Sequence, residues 1–255
     1  MNPVKEQYFG FTRVILKGIP SSEMVTYLTK VKQTGFNEVI IREDDNAANT
    51  ISEKWEISSP ESDYSSFEFN HDNHYVAVEN NDAGLSHFGE YSMPQKNIIY
   101  LENLGTLTIT EDNAAGVSFS FSPINEEGRE MKLEAVKAET ITESPELDLF
   151  CRTWQVVNST EKDFIGFLLF ISNAGTYFFT EPEGQSNSLS SWRWHDDKKE
   201  EFEYSHDDWE YYGRAEILEL TQDSLEVFDP GYSTLIPGYS AADLNNYWEL
   251  VPIKQ

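Results

Sequence analysis

Chemistry in this sequence concentrates in one stretch, residues 192–212. Trp192, Trp194, Phe202, Tyr204, Trp209, Tyr211 and Tyr212 interleave there with Asp196, Asp197, Glu200, Glu201, Glu203, Asp207, Asp208 and Glu210. Arg193, Lys198 and Lys199 offset only part of that charge. Large aromatics anchor protein interfaces and carboxylates steer a cationic partner toward them, so the stretch reads as a contact for a basic protein. Trp and Tyr faces also stack on sugars and organic cations, which gives a second reading. A third is structural: a strand-turn-strand hairpin with Phe202 and Tyr204 facing a core and Glu201 and Glu203 in solvent. The candidates for ligand or partner binding are Trp192, Trp194, Asp207, Asp208, Trp209, Glu210, Tyr211 and Tyr212.

Other reactive groups are sparse. Asn70-His71-Asp72-Asn73-His74 sets two histidines three positions apart around a turn, a spacing able to clip Zn or Ni. Asn and Asp are equally turn formers, and no third ligand is assignable, so neither a metal nor a cofactor is expected. Cys151 is the one cysteine, so no internal disulfide forms; in Leu147-Asp148-Leu149-Phe150-Cys151 it reads as a small buried hydrophobe. His195 and His206 lie among acids and would form an acid–base pair only if the fold joined them. The sequence has no GxSxG, HExxH, phosphate-binding loop or GxGxxG. No catalytic residue is assigned, and the chain is expected not to be an enzyme.

Charge narrows the partners. The 18 Lys and Arg stand against 45 Asp and Glu, a net charge of −27. Such a chain repels phosphate backbones and anionic membrane surfaces, so neither nucleic acid nor membrane is expected as a partner. Its 16 Phe, 13 Tyr and 6 Trp are far too many for a disordered acidic polymer. Lys5, Glu6, Arg13 and Lys17 interrupt Met1 to Gly18, which therefore lacks the apolar run of a signal peptide. No stretch approaches the roughly 20 apolar residues of a membrane span. The expectation is a cytoplasmic protein, the alternative an exported one whose signal has been removed.

The elements that position these residues are mostly strands. Tyr8 to Leu16 reads as one. Ser21-Ser22-Glu23 offers a helix start, Met24, Tyr27, Leu28 and Val31 follow at helical spacing, and Gly35 stops it. Phe36 to Ile41 completes a β-α-β opening. Beyond it, Asn/Asp/Gly turns separate short strands of period two, as where Val117, Phe119 and Phe121 alternate with Ser118, Ser120 and Ser122. Strands recurring at about 8–12 residues indicate an antiparallel barrel or sandwich. The pattern echoes itself: Trp55, Phe67-Glu68-Phe69 and Tyr75 in one pass, Trp154, Phe167 to Phe170 and Tyr177 in the other. Trp55 and Trp154, at equivalent places, are core aromatics or line a barrel mouth. The polar segment Thr140 to Glu146 separates two units, 1–142 and 144–255. Residues 1–143 hold 11 basic against 24 acidic residues and 144–255 hold 7 against 21, so both units are acidic. Gly231 to Asn246 reads as a long loop before the last strand.

One run reads Leu149-Phe150-Cys151-Arg152-Thr153-Trp154-Gln155-Val156, then Phe170-Ile171-Ser172-Asn173-Ala174-Gly175-Thr176-Tyr177. It continues with Ser191-Trp192-Arg193-Trp194 and Ile217-Leu218-Glu219-Leu220-Thr221-Gln222-Asp223-Ser224-Leu225. The second unit thereby resembles the lipocalin-like domains found in many bacterial proteins, in which a G-x-W motif opens the barrel. Here Arg152 stands where that family has a small residue. The first unit looks like a diverged copy. The resemblance implies a mainly β fold of two antiparallel lipocalin-like barrels in tandem, after the short β-α-β opening. It also implies a non-enzymatic binding protein for a small apolar ligand or a protein partner. The alternative is an acidic immunity or inhibitor protein that neutralises a basic toxin or nuclease. An open apolar pocket would favour the ligand, and filled barrels with an exposed acidic-aromatic face the inhibitor.

Overall fold

The computed structural model describes residues 4–8, 11–15, 53–81, 85–113, 116–126, 128–182, 187–206, 209–230 and 246–253; for 4–8 and 11–15 the backbone alone is described. The chain divides into two compact units, Met1–Lys137 and Ala138–Gln255. In the first, β1 (Val4–Tyr8) and β2 (Phe11–Ile15) form an antiparallel pair, so the strand expected over Tyr8–Leu16 is the second arm of a pair that begins at Val4. The helix expected from Ser21 and the strand Phe36–Ile41 lie outside the described residues.

Each unit holds a closed eight-stranded antiparallel barrel. The first comprises β3 (Lys54–Ile57), β4 (Tyr64–Phe69), β5 (His74–Glu79), β6 (Ser86–Gln95), β7 (Ile98–Leu101), β8 (Gly105–Asn113), β9 (Gly116–Pro123) and β10 (Met131–Lys137). The second comprises β11 (Thr153–Ser159), β12 (Leu168–Ile171), β13 (Thr176–Thr180), β14 (Asn187–Trp194), β15 (Glu201–Ser205), β16 (Gly213–Leu220), β17 (Leu225–Asp229) and β18 (Asn246–Pro252). Every strand pairs with the next, and the last returns to the first: Lys137 sits opposite Trp55, and Pro252 opposite Trp154. This up-and-down closure fits a lipocalin-like barrel and leaves no barrel edge unpaired.

Period two builds the walls. In β9, Val117, Phe119 and Phe121 are buried while the alternating serines turn outward. β16 departs from strict alternation. Its register slips between Ile217 and Glu219, a bulge that puts Leu218 on the outside. Matching turns produce the internal echo. The Asn70 side chain accepts from the amides of Asp72 (3.1 Å) and His74 (2.9 Å), and Asn73 adopts a left-handed φ of 60°. Ser172 accepts from the Thr176 amide (3.2 Å), with Gly175 at φ 79°. Tyr75 and Tyr177 therefore start the third strand of their barrels, as Trp55 and Trp154 lie in the first.

A helix, α1 (Pro145–Phe150), begins inside the polar segment Thr140–Glu146. Ser144 caps it by accepting from the Leu147 amide (3.2 Å), and Pro145 suits its first turn. Phe150 plugs the second barrel, with Trp192, Phe202 and Trp194 rings 4.9, 5.1 and 5.2 Å from its own. The Trp154 indole donates to the Phe150 carbonyl (3.0 Å). Arg152 lies 5.2 Å over the Trp154 ring and donates to the Gln222 carbonyl (3.0 Å), tying the plug to the β16–β17 turn.

Aromatic side chains fill both interiors. In the first barrel Phe121 meets Tyr64 at 5.3 Å and Phe67 at 5.5 Å, and Phe69 meets Tyr91 at 5.0 Å. In the second, Tyr177 stacks on Tyr204 at 5.4 Å. Glycine makes room for two tyrosines. Gly89 sits directly opposite Tyr75, and Gly213 opposite Tyr204, whose ring occupies the space of a Cβ. Among the described residues no helix is long and apolar enough to cross a membrane.

Candidate functional site

Strand parity sorts the 192–212 stretch. Trp192 and Trp194 in β14 point inward with Phe202 and Tyr204 of β15, while Arg193, Glu201 and Glu203 point outward. Trp192 is buried and its indole donates to the Ser172 carbonyl (2.8 Å); Trp194 packs on it at 5.0 Å. These two candidates line the barrel interior around the α1 plug, Trp192 buried and Trp194 half-buried. Asp207 and Asp208 lie outside the described residues. Trp209, Glu210, Tyr211 and Tyr212 come together in the β15–β16 loop.

That loop folds onto the outer face through Arg193, which the sequence places in the stretch but not among the binding candidates. Register sets Arg193, Glu203 and Arg214 side by side across β14, β15 and β16. Glu203 is only 5% exposed, although it faces away from the core. Its Oε2 accepts from Arg193 Nε at 2.8 Å, and its Oε1 lies 2.7 Å from His195 Nδ1. Arg214 Nη1 reaches His195 Nε2 (2.9 Å) and Glu201 Oε2 (3.3 Å). The Arg193 guanidinium lies 4.1 Å over the Trp209 ring and 5.9 Å from the Tyr212 ring. Tyr211 and Glu210 are exposed beside this stack. The signal for it was the cross-strand pairing of residues 193 and 203, which needs the register and not the sequence alone.

Three cations are engaged inside the molecule: Arg193 and Arg214 as above, and Lys199 with Glu146 (3.3 Å). Helix-terminal backbone hydrogen bonding, then Lys199 and Ser144, hold the Glu146 carboxyl below the usual range. Farther round the wall, Glu219, Glu226 and Glu249 stand directly opposite one another across β16, β17 and β18. Like charges in direct register oppose sheet pairing. The Tyr247 hydroxyl bonds Glu226, which holds that phenol above its ordinary pKa, with Glu226, Glu249 and Glu219 charges adding to the effect. The outer wall from β14 to β18 thus combines aromatics with uncancelled negative charge.

Remaining candidates fall apart in space. His195 belongs to the Glu203 network, whereas His206 Nδ1 is 2.7 Å from Ser190 Oγ. His71 is exposed, but His74 is buried and stacks on Phe88 at 5.3 Å. Among the described residues no group of three His, Cys, Asp or Glu is placed to hold a metal. Cys151 is half-buried against the core. Opposite the α1 plug, Phe164, Phe167, Phe179 and Trp248 form an aromatic cluster, with Trp248 stacked 5.4 Å from Phe179. Of the loop expected over Gly231–Asn246, residues 231–245 lie outside the described residues. Comparison with family models and with curated proteins finds no match. Likeness to lipocalin-like domains therefore rests on the barrel architecture.

Proposed function

We propose that this chain is a non-enzymatic binding protein that engages a basic protein through the outer face of its second barrel. One observation carries the reading: aromatic side chains occupy both barrel interiors, where a lipocalin-type ligand would sit. Binding then falls to the outside. There the Trp209–Arg193 stack and exposed Tyr211 supply the residue types that dominate interface energetics. The surrounding carboxylates, on a chain of net charge −27, would speed capture of a cationic partner. Within this reading the finer assignment is an acidic inhibitor or immunity protein that covers a basic toxin or nuclease.

The test is capture from native lysate at low salt, elution by a salt gradient, and mass spectrometry. A single basic protein released at moderate salt supports the reading. Neutralising Asp207, Asp208 and Glu210 together should then slow association and flatten its salt dependence without loss of stability. Unchanged association would move the contact off this face.

A second reading, a small apolar ligand, is favoured by one detail. Trp248 Nε1 is buried without a hydrogen-bond partner beside Phe164, Phe167 and Phe179, so a ligand carrying an acceptor would satisfy it. An apolar fluorophore should bind the whole chain with little salt dependence, and Trp248→Phe should weaken it. No binding would remove this reading.

A further inference from the structure

Glu203 is the anomaly on the outer wall. Strand alternation makes it a solvent-facing acid, yet it is buried to the degree of a core residue. A buried carboxylate is costly unless its oxygens are filled by donors. Both are filled from the C-terminal end of β14. Arg193 Nε donates to Oε2. His195 supplies the other donor, and its tautomer follows from its neighbours. Arg214 Nη1 can only donate, so His195 Nε2 accepts, and the proton on Nδ1 goes to Glu203 Oε1.

The consequence is an Arg193 guanidinium that is tethered at Nε and lies 4.1 Å over the Trp209 ring and 5.9 Å from the Tyr212 ring. Trp209 itself takes a left-handed φ of 69°, a conformation uncommon for a bulky residue, which needs outside contacts to hold it. We propose that Glu203 is the positioning residue of the docking face: acting through Arg193, it sets Trp209 and Tyr212 in their binding arrangement before any partner arrives. This rests on the docking reading above. An anchor already in place gives up less conformational freedom on binding, so part of the affinity for a basic partner originates in a carboxylate the partner never touches.

Two variants and two readouts test it on the full chain. Glu203→Gln keeps the size and removes the charge. Arg193→Lys keeps the charge and removes the planar stack. In both, amide exchange at Trp209–Tyr212 should accelerate about tenfold or more, while Trp192–Trp194 and Phe202–Tyr204 keep their protection. Binding of an oligolysine peptide should weaken roughly threefold to tenfold in Glu203→Gln. In a Trp209→Ala background the same substitution should add nothing. Unchanged exchange at 209–212, or equal loosening of β14 and β15, would overturn the positioning role. Faster exchange together with peptide binding indifferent to Trp209→Ala would overturn the docking reading and leave the latch standing.

Discussion

His74 makes the first barrel acid-sensitive in a calculable way. The ring is buried on the outer side of β5, stacked on Phe88, with Nδ1 lacking any hydrogen-bond partner. Burial pushes its pKa down from 6.5 to about 4, a hydrogen bond with the Asp72 backbone opposing part of the shift. Between those values the unfolded chain binds a proton at this position and the folded chain does not. Stability is therefore complete above about pH 6.5, falls as pH drops through that value, and levels off below about 4. A separation of that size corresponds to about 3 kcal/mol in full, of which about 2 kcal/mol is lost by pH 5. Other acids titrate over the same interval, so the informative quantity is a difference between two proteins. His74→Phe keeps the stack on Phe88 and leaves nothing to protonate. Urea unfolding of wild type and variant at pH 7.5 and pH 5, followed through the first barrel, should show the variant gaining about 2 kcal/mol relative to wild type at the lower pH. Parallel losses in the two proteins would refute the assignment of this acid sensitivity to His74.

Two further outcomes follow from the second barrel. Glu226→Gln should raise stability by about 0.5 kcal/mol in low salt, because it breaks the row Glu219–Glu226–Glu249, and the gain should vanish in high salt; denaturant titrations at two ionic strengths read both. Gly213→Ala should cost about 2 kcal/mol or more, since the added methyl falls inside the Tyr204 ring, and it should disturb the hydrogen bonds from that hydroxyl to Asp229 (2.9 and 3.1 Å); thermal unfolding measures the loss.

Much of the barrel architecture was legible in the residues themselves. Val117, Phe119 and Phe121 announce which side of β9 is inside, because a strand has only two faces. The turns before Tyr75 and Tyr177 announce the tandem, since Asn73 and Gly175 occupy left-handed positions that few residues tolerate. The proposed docking face was only half legible. Trp192 and Trp194 share a composition with Trp209 and Tyr211 but not a side of the sheet, and parity counted from Phe202 and Tyr204 would have separated them. The Arg193–Glu203–Arg214 row was not legible, because it depends on which residues three strands bring abreast. Nor was the burial of Glu203, whose two carboxylate oxygens are covered by Arg193 and His195.

Sealing each barrel by its first and last strands also governs its assembly. In the first, residues 55 and 137 must find each other; in the second, residues 154 and 252. Hairpins between neighbouring strands form on local contacts, whereas these two seams close the longest loops in their units and come late. Until then β3 and β10, or β11 and β18, present open ladders of backbone groups. A nascent chain has finished β10 before β11 is made, so the first seam can shut while its counterpart does not yet exist. Order of synthesis thus guards two barrels of identical topology against exchanging their final strands.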